Sequence, residues 1–222
     1  MAAVPILLVF LKYPSPGAVK TRLAATIGPE RAAEMYREWI GRVLERLQPI
    51  RDHAHLIGCF DGAPRGAFAP WSELADDWWP QPAGDLGDRL RAGFAQAHAL
   101  GAPVAAVGTD CLELESSLVR RAYDVLRSKD AVFGRAEDGG YYLVGTARDL
   151  PGFFEGLPWS SPETLAAHVA LCATHVWTVG LLPARRDIDT WEDWQRYHRA
   201  RSRHRSVTMD QFRRSPGTGL GP

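Results

Sequence analysis

Short apolar runs alternate with longer helical repeats along the chain, and this alternation limits the possible folds more than any other feature. Residues 4–11 form a continuous apolar run, as expected of a strand covered on both faces. Residues 29–47 carry apolar side chains at three- and four-residue steps, which is typical of an amphipathic helix. Further strands are predicted at 55–60, 103–108, 130–134, 140–146 and 175–182, and further helices at 71–77, 85–100, 115–128, about 160–173 and from 190 onward.

This order predicts the fold class. Strands separated by helices need crossover connections, so we predict an α/β fold with three layers, in which a mostly parallel, mixed sheet has helices on both faces. Residues 1–200 would form one domain. Residues 201–222 are rich in Arg and end in SPGTGLGP, which favours a flexible basic tail. In such sheets ligands bind beyond the carboxyl ends of the strands, so functional residues should follow strands.

The overall composition excludes several classes of protein. Lys and Arg number 26, as do Asp and Glu, so the net charge of zero gives no reason to expect a nucleic-acid or membrane partner. The three cysteines are far apart and form no CxxC pair, which favours reduced thiols and a cytoplasmic location over a zinc site or disulfides. No apolar segment is long enough to cross a bilayer. Composition does not predict the oligomeric state.

Three helix starts carry capping residues. Asp85, Thr190 and either Ser160 or Ser161 stand where helical patterns begin, and their side chains suit the N-cap position. Acidic residues three positions after Ser160 and Thr190 would complete capping boxes. These residues therefore have a structural explanation before any functional one.

A basic loop follows the first predicted strand. Lys12 begins it, two prolines stiffen it and Gly17 permits a sharp turn before Lys20, Thr21 and Arg22 open a helix. Cationic side chains and backbone N–H groups at such a place suit a phosphate. The segment is not a Walker A loop, because the glycine required before Lys-Thr is replaced by valine. A stiff loop with solvated basic residues explains the spacing equally well.

Aspartates follow two other predicted strands. Asp110 comes directly after the buried run 103–108, and Asp187 and Asp189, two residues apart, point to the same side of an extended chain. Together they could hold Mg²⁺ or Mn²⁺, which prefer oxygen ligands and substrate phosphates. Capping of the following turns is the alternative. It is weaker for Asp187 and Asp189, because Thr190 already serves as the cap.

Two glycine-containing turns are further candidates. Asp138, Gly139 and Gly140 lie in a turn where glycines permit close approach of a ligand, although an Asp-Gly pair is by itself a hairpin signal. Gly87 and Arg89 lie at a helix start, where they could contact a substrate or nucleotide. Helix capping explains that second segment without a ligand.

Six segments in this order resemble the DUF2064 family: FLKYPSPGAVKTRL, QPAGDLGDRL, GTDC, AEDGGYYLVG, PWSSPETL and DIDTWEDW, which span about residues 4–197. The family is described as glycosyltransferase-A-like, with a nucleotide-diphospho-sugar transferase fold, and some members are tied to arsenosugar biosynthesis. It is also similar to phospholactate guanylyltransferases and to the nucleotidyltransferases of molybdenum-cofactor synthesis. The chain departs from the family at Leu112 and Arg135, where proline is usual, and both positions neighbour candidate residues.

The resemblance implies roles for individual residues. Lys20 and Arg22 match basic residues that hold nucleotide phosphates, and with Asp110 they form the implied catalytic set. Asp110 matches a Mg²⁺-binding aspartate, and Asp187 and Asp189 match acidic metal ligands of the guanylyltransferases. The implied nucleotide-binding positions are Lys12, Gly17, Lys20, Thr21, Arg22, Gly87, Arg89, Asp138, Gly139 and Gly140.

Three functions fit these features. The first is glycosyl transfer from a nucleotide-diphospho-sugar to a small-molecule acceptor, which the family description favours. The second is nucleotidyl transfer from a nucleoside triphosphate to a phosphate or carboxylate acceptor, which the basic loop favours because a triphosphate needs more positive charge. The third is nucleotide binding without catalysis. Sugar, base and acceptor are not predicted by the sequence.

Overall fold

The computed structural model describes residues 3–200 of the chain, and the predicted tail at 201–222 lies outside them. Residues 3–200 contain seven strands, six α-helices and two 3₁₀ helices, and within this range the sixth α-helix, α6, occupies residues 191–200. The strands are β1 (Ile6–Lys12), β2 (His55–Asp61), β3 (Asp77–Pro80), β4 (Val104–Val107), β5 (Ala131–Ala136), β6 (Tyr141–Thr146) and β7 (Val179–Arg185). The helices are α1 (Thr21–Ile27), α2 (Pro29–Leu47), α3 (Leu86–His98), α4 (Ser116–Leu126) and α5 (Thr164–Thr174), with 3₁₀ helices at Gln48–Ile50 and Arg65–Leu74.

The strands form one mixed sheet in the order β3-β2-β1-β4-β6-β5-β7. β6 alone among them runs antiparallel to its neighbours, because a tight hairpin joins it to β5. One face of the sheet packs against a core that includes Trp39 and Phe68, and the other against a core that includes Phe94 and Phe133. The predicted three-layer, mostly parallel α/β fold is confirmed.

The sheet directions bring the carboxyl ends of six strands to one edge. β1, β2, β3 and β4 are mutually parallel, and β5 is parallel to β7. Because β6 is antiparallel to both β4 and β5, these six strands run in the same direction. The antiparallel strand β6 begins at this same edge, since Val107 at the end of β4 pairs with Leu143 near the start of β6. Loops from the beginning, middle and end of the chain therefore meet there.

Three local predictions were wrong. The helix expected at 71–77 is instead a 3₁₀ helix ending at Leu74, which contains Pro70 and so cannot continue an α-helical hydrogen-bond ladder. The short strand β3 behind it was missed. Helix α5 begins at Thr164 with Glu163 as its N-cap, so neither Ser160 nor Ser161 is the cap; Ser160 has a left-handed backbone with φ 58°. The Asp85 cap is confirmed as a capping box, and Thr190 and Asp193 exchange the same pair of hydrogen bonds.

His168 of α5 is fully buried among aromatic rings. Its exposed fraction is 0%, and the ring centroids of Phe153 and Phe133 lie 4.2 and 4.8 Å away. Neither ring nitrogen makes a hydrogen bond of good geometry within residues 3–200, although the Phe153 backbone lies near enough to act on the ring. Burial lowers the pKa of His168 to about 4, against a smaller opposing effect of the Phe153 backbone.

This burial predicts an acid-sensitive stability. Between pH 6.5 and 4 the unfolded chain binds a proton at His168 that the folded chain does not, so His168 should lower the free energy of unfolding as pH drops. The two pKa values correspond to a contribution of about 3 kcal/mol by pH 4. Urea unfolding across this range should show that His168→Phe lacks this contribution, while those of His98 and Asp187, whose pKa values are also shifted, remain. The exposed His53→Phe should retain it, and equal slopes for both variants would contradict the assignment.

No helix among the described residues is both long and apolar enough to span a membrane.

Candidate active site

The loop after β1 turns the chain back into α1. The Tyr13 N–H donates to the Asp61 carbonyl at 2.7 Å, which ties the start of this loop to the end of β2. Lys20, the residue before α1, has a left-handed backbone with φ 47°. Its side chain turns into the protein, where only 5% of it is exposed.

The Lys20 ammonium lies between two predicted metal ligands. Its Nζ is 2.7 Å from Asp110 Oδ1 and 2.9 Å from Asp189 Oδ1, and it donates to the Ile188 carbonyl at 2.5 Å. Burial alone would lower the pKa of Lys20, but the two carboxylates outweigh it and the pKa rises above its ordinary value. The lysine therefore stays protonated, and it neutralises part of the acidic group.

Asp187 is the unpartnered member of that group. Its Oδ1 is buried and has no hydrogen-bond partner within residues 3–200. Burial, followed by the neighbouring charge of Asp110, raises the pKa of Asp187 to about 7, although Lys20 opposes the shift. Bound cations commonly compensate buried carboxylates that face a like charge. The residues therefore fit a divalent cation between Asp110 and Asp187.

The protein supplies few ligands for such a cation. Across the described part of the chain, no group of three or more His, Cys, Asp or Glu side chains is close enough to form a ready-made metal site. A cation at Asp110 and Asp187 would need further oxygens from water or from substrate phosphates. This is common for Mg²⁺, which keeps several such ligands.

The other predicted basic residues remain accessible. Arg22 is 75% exposed at its side chain, and its NH1 lies 3.9 Å from Asp189 Oδ2. Lys12 and Arg22 line both a large cavity and a smaller one beside it, and Thr21 lines the smaller. Gly17 lines neither of them, and its φ of 76° gives it the conformational role of turning the loop.

The acidic hairpin turn between β5 and β6 supports the cavity wall. Asp138 Oδ1 accepts from the Gly140 N–H at 2.9 Å, as expected of an Asp-Gly turn, and both residues line the cavity. Gly139 has φ 92° and packs against the backbone of Pro162, so closely that a Cβ there would lie 1.9 Å from the carbonyl oxygen. The turn thus holds residues 159–164 in place.

The start of α3 forms another part of the wall. Arg89 donates from NH1 to Asp61 Oδ2 at 2.6 Å and from Nε to the Gly84 carbonyl at 3.1 Å. These bonds hold its side chain between the end of β2 and the loop just before α3. Gly87 lies beneath the indole of Trp159, since a Cβ there would be 2.4 Å from the indole nitrogen. Gly87 is thus a packing residue, whereas Arg89 lines the cavity.

These elements enclose a cavity of about 730 Å³ at the predicted edge of the sheet, adjoined by a smaller one of about 300 Å³. The large cavity brings together the predicted residues Lys12, Arg22, Arg89, Asp110, Asp138, Gly140, Asp187 and Asp189. Lys20 and Thr21 line the smaller cavity, together with Asp110 and Asp189. Gly17, Gly87 and Gly139 line neither.

Sequence reasoning missed several cavity residues. Tyr36, assigned to the core face of α2, shares a 2.8 Å hydrogen bond with Thr109 Oγ1 just before Asp110. Gln81 donates to the carbonyls of Leu11 and Cys59. Trp159 packs against the core that includes Phe94 and Phe133, on the face of the sheet opposite to Tyr36, and it also lines the cavity. The position of Thr109 beside Asp110 was a usable signal. Trp159 lies in the family segment PWSSPETL and Gln81 in QPAGDLGDRL, which were usable signals too, whereas Tyr36 had none.

Comparisons with known proteins agree with this architecture. A family model described as "Uncharacterized protein conserved in bacteria (DUF2064)" matches residues 43–161. A solved structure from Desulfovibrio desulfuricans G20, described as a "putative nucleotide-diphospho-sugar transferase", is 32% identical, with a TM-score of 0.77 over 86% of this chain and 84% of that one. No curated protein matches the chain.

Two more distant structures share the fold. Rv0371c of Mycobacterium tuberculosis H37Rv, solved in complex with manganese, is 20% identical, with a TM-score of 0.56 over 88% of this chain and 98% of that one. CMP:2-keto-3-deoxy-manno-octonic acid synthetase complexed with CTP is 13% identical, with a TM-score of 0.58 over 91% of this chain and the whole of that one.

Proposed function

The chain belongs to the DUF2064 family and is a transferase-like enzyme, and from this premise we propose that it transfers a glycosyl group from a nucleotide-diphospho-sugar with the help of a divalent cation. One observation carries the proposal. A cavity of about 730 Å³ is lined both by the cationic side chains of Lys12 and Arg22 and by a partly uncompensated group of carboxylates. A diphosphate bridged to a cation matches both sets of side chains.

The basic side of the cavity would hold the diphosphate. Lys12 and Arg22 line it, and the exposed guanidinium of Arg22 is free to move toward a ligand. Arg22 can bind a phosphate through two parallel N–H groups, whereas the Lys12 ammonium acts as a point charge. These contacts would fix the donor with its transferred group toward the interior of the cavity.

The acidic side would hold the cation. Asp110 and Asp187 are the proposed ligands, and a bound Mg²⁺ or Mn²⁺ would neutralise charge that develops on the departing diphosphate. The burial of Asp187 limits access of water to this position, which strengthens electrostatic interactions there. The manganese complex of the distant relative Rv0371c lends support to this part of the proposal.

Nucleotidyl transfer from a nucleoside triphosphate is the second candidate. The cationic side chains of Lys12 and Arg22 together with a divalent cation favour a triphosphate, which carries more negative charge than a diphospho-sugar, and Gly108-Thr109-Asp110-Cys111 offers one carboxylate where a D-x-D motif would offer two. The synthetase, which has the same fold, binds CTP, and this supports the second candidate. We favour glycosyl transfer because the 32% identical relative is described as a nucleotide-diphospho-sugar transferase.

Ligand screening separates the two candidates. With Mg²⁺ or Mn²⁺ present, nucleotide-diphospho-sugars at about 100 times their dissociation constant should stabilise the fold by about 2.7 kcal/mol. For a chain of this size that corresponds to a rise in Tm of about 5–10 °C. Nucleoside triphosphates at the same concentration should raise Tm by less.

The opposite ranking, with pyrophosphate released from a triphosphate, would replace glycosyl transfer by nucleotidyl transfer. Tight nucleotide binding with no product after long incubation would indicate a non-catalytic protein. Absence of stabilisation by any nucleotide would refute both transferase candidates.

A further inference from the structure

Three oxygen atoms surround the Lys20 ammonium. An ammonium has three N–H donors; Asp189 and the Ile188 carbonyl accept hydrogen bonds from it, and Asp110 Oδ1 forms an ion pair with it at 2.7 Å. A phosphate could therefore bind Lys20 only by displacing one of these partners. Lys12 and Arg22 require no such exchange, because they already face the cavities.

The surroundings of Lys20 are those of a fixed internal cation. Its Nζ lies 5.4 Å from the ring centroid of Trp39 and 6.0 Å from that of Tyr36, within the range of cation–π attraction. Its partners come from the end of β4 and from the loop after β7, far away in sequence. The side chain thus joins three separate segments of the site, with 5% of its area exposed.

Asp187 differs from the two carboxylates that Lys20 contacts. Its buried Oδ1 has no partner among residues 3–200, and the N–H of the next residue, Ile188, donates to the Asp110 carbonyl at 3.0 Å, so the two aspartates lie on adjoining segments. An unpartnered buried oxygen beside a second carboxylate is an independent indication of a missing cation. The acidic group thus has one position filled by lysine and another still uncompensated.

We propose that Lys20 is a positioning residue that takes the place of a second cation: it holds Asp110 and Asp189, and it leaves Asp110 and Asp187 to bind a single divalent ion. This inference rests on the divalent-cation site of the proposed function. It assigns Asp189 to the lysine and not to the metal. It also gives the phosphate contacts to Lys12 and Arg22.

Removal of the Lys20 charge should open the site to metal. Lys20→Met keeps a long unbranched side chain and leaves Asp110 and Asp189 without their counter-ion. Mn²⁺ should then bind at least about tenfold more tightly than in the wild type, or an additional ion should bind, because a unit charge a few ångströms away strongly opposes a divalent ion. Lys12→Met removes an equal charge from the same cavity without contact to the carboxylates, and should change Mn²⁺ affinity by less than about threefold.

Titration of the full-length protein with Mn²⁺ alone, followed by the electron paramagnetic resonance signal of the free ion, measures these effects without nucleotide or activity. Equal or weaker Mn²⁺ binding by folded Lys20→Met, or no binding by wild type and variant alike, would overturn the proposal. Binding by the variant but not by the wild type would support it.

A second pair of variants keeps the test decisive if Lys20→Met does not fold. Asp187→Asn should weaken Mn²⁺ binding at least about tenfold more than Asp189→Asn does, because loss of a ligand exceeds loss of a neighbouring charge. Equal effects would assign Asp189 to the metal and overturn the proposal. Nucleotide-dependent stabilisation is measured separately, so its absence would refute the proposed function whatever Mn²⁺ shows.

Discussion

Replacement of Asp110 by alanine is expected to lower the transfer rate by at least about a thousandfold. The transition state would lose the charge stabilisation that the metal provides, which raises the activation free energy by roughly 4 kcal/mol. Asp110 is the residue that both proposed cation positions share, because it contacts Lys20 and raises the pKa of Asp187. Mg²⁺ should also cease to increase the thermal stabilisation given by nucleotide. Product formation from the donor found by ligand screening, together with thermal shift, measures both effects.

The fold should survive this change. The Asp110 side chain is 45% exposed, and Lys20 keeps Asp189 and the Ile188 carbonyl as partners. We expect a loss of about 2 kcal/mol in the free energy of unfolding, as for one hydrogen bond to a charged group. Asp124→Ala on the outer side of α4 removes an exposed carboxylate and serves as the matched control. Full metal dependence in Asp110→Ala would show that the cation site lies elsewhere.

Replacement of Gly139 by alanine should cause the largest loss of stability, roughly 4 kcal/mol or more, by combining backbone strain with a collision. A Cβ at this position would lie 1.9 Å from the Pro162 carbonyl oxygen. Neither atom can rotate away, because the Cβ is attached directly to the backbone and the oxygen belongs to it. Relief of this contact would move the segment 159–164, of which all residues except Glu163 line the cavity. Urea unfolding measures the loss, and nucleotide affinity should fall with it.

Gly17→Ala separates the two causes. Gly17 has φ 76°, similar to the φ of 92° at Gly139, but no neighbouring atom lies within 4 Å of the place that a Cβ would occupy there. Only the conformational cost of about 1 kcal/mol should therefore appear. Similar losses in the two variants would mean that the contact with Pro162 does not constrain the turn.

Local sequence was sufficient for much of the architecture. The apolar repeat predicted α2 with its observed bounds, Pro29–Leu47, and the caps Asp85 and Thr190 lie where their helices begin. These features depend on side chains within one or two turns of each other, so a pattern read along the chain contains them. The same patterns failed at the short strand β3, which is defined by its pairing with β2 and not by its own four residues.

The convergence of the site also followed from the sequence. Parallel strands place their carboxyl ends on one edge, so the loops holding Lys12, Asp110 and Asp187 had to meet once strand order and direction were right. Six ordered motifs predicted the family as well, and the family model and the 32% identical structure confirm it.

The tertiary structure alone decided which charges neutralise each other. Sequence placed Lys20 on the phosphates, but its left-handed backbone turns it toward Asp110 and Asp189, which lie 90 and 169 residues away along the chain. The tertiary structure likewise leaves Asp187 as the unpartnered acid and packs Trp159 against Gly87. Composition and spacing determine which elements form and where their ends gather. The partners of a buried charge depend on side-chain directions and desolvation, which exist only once distant segments have packed.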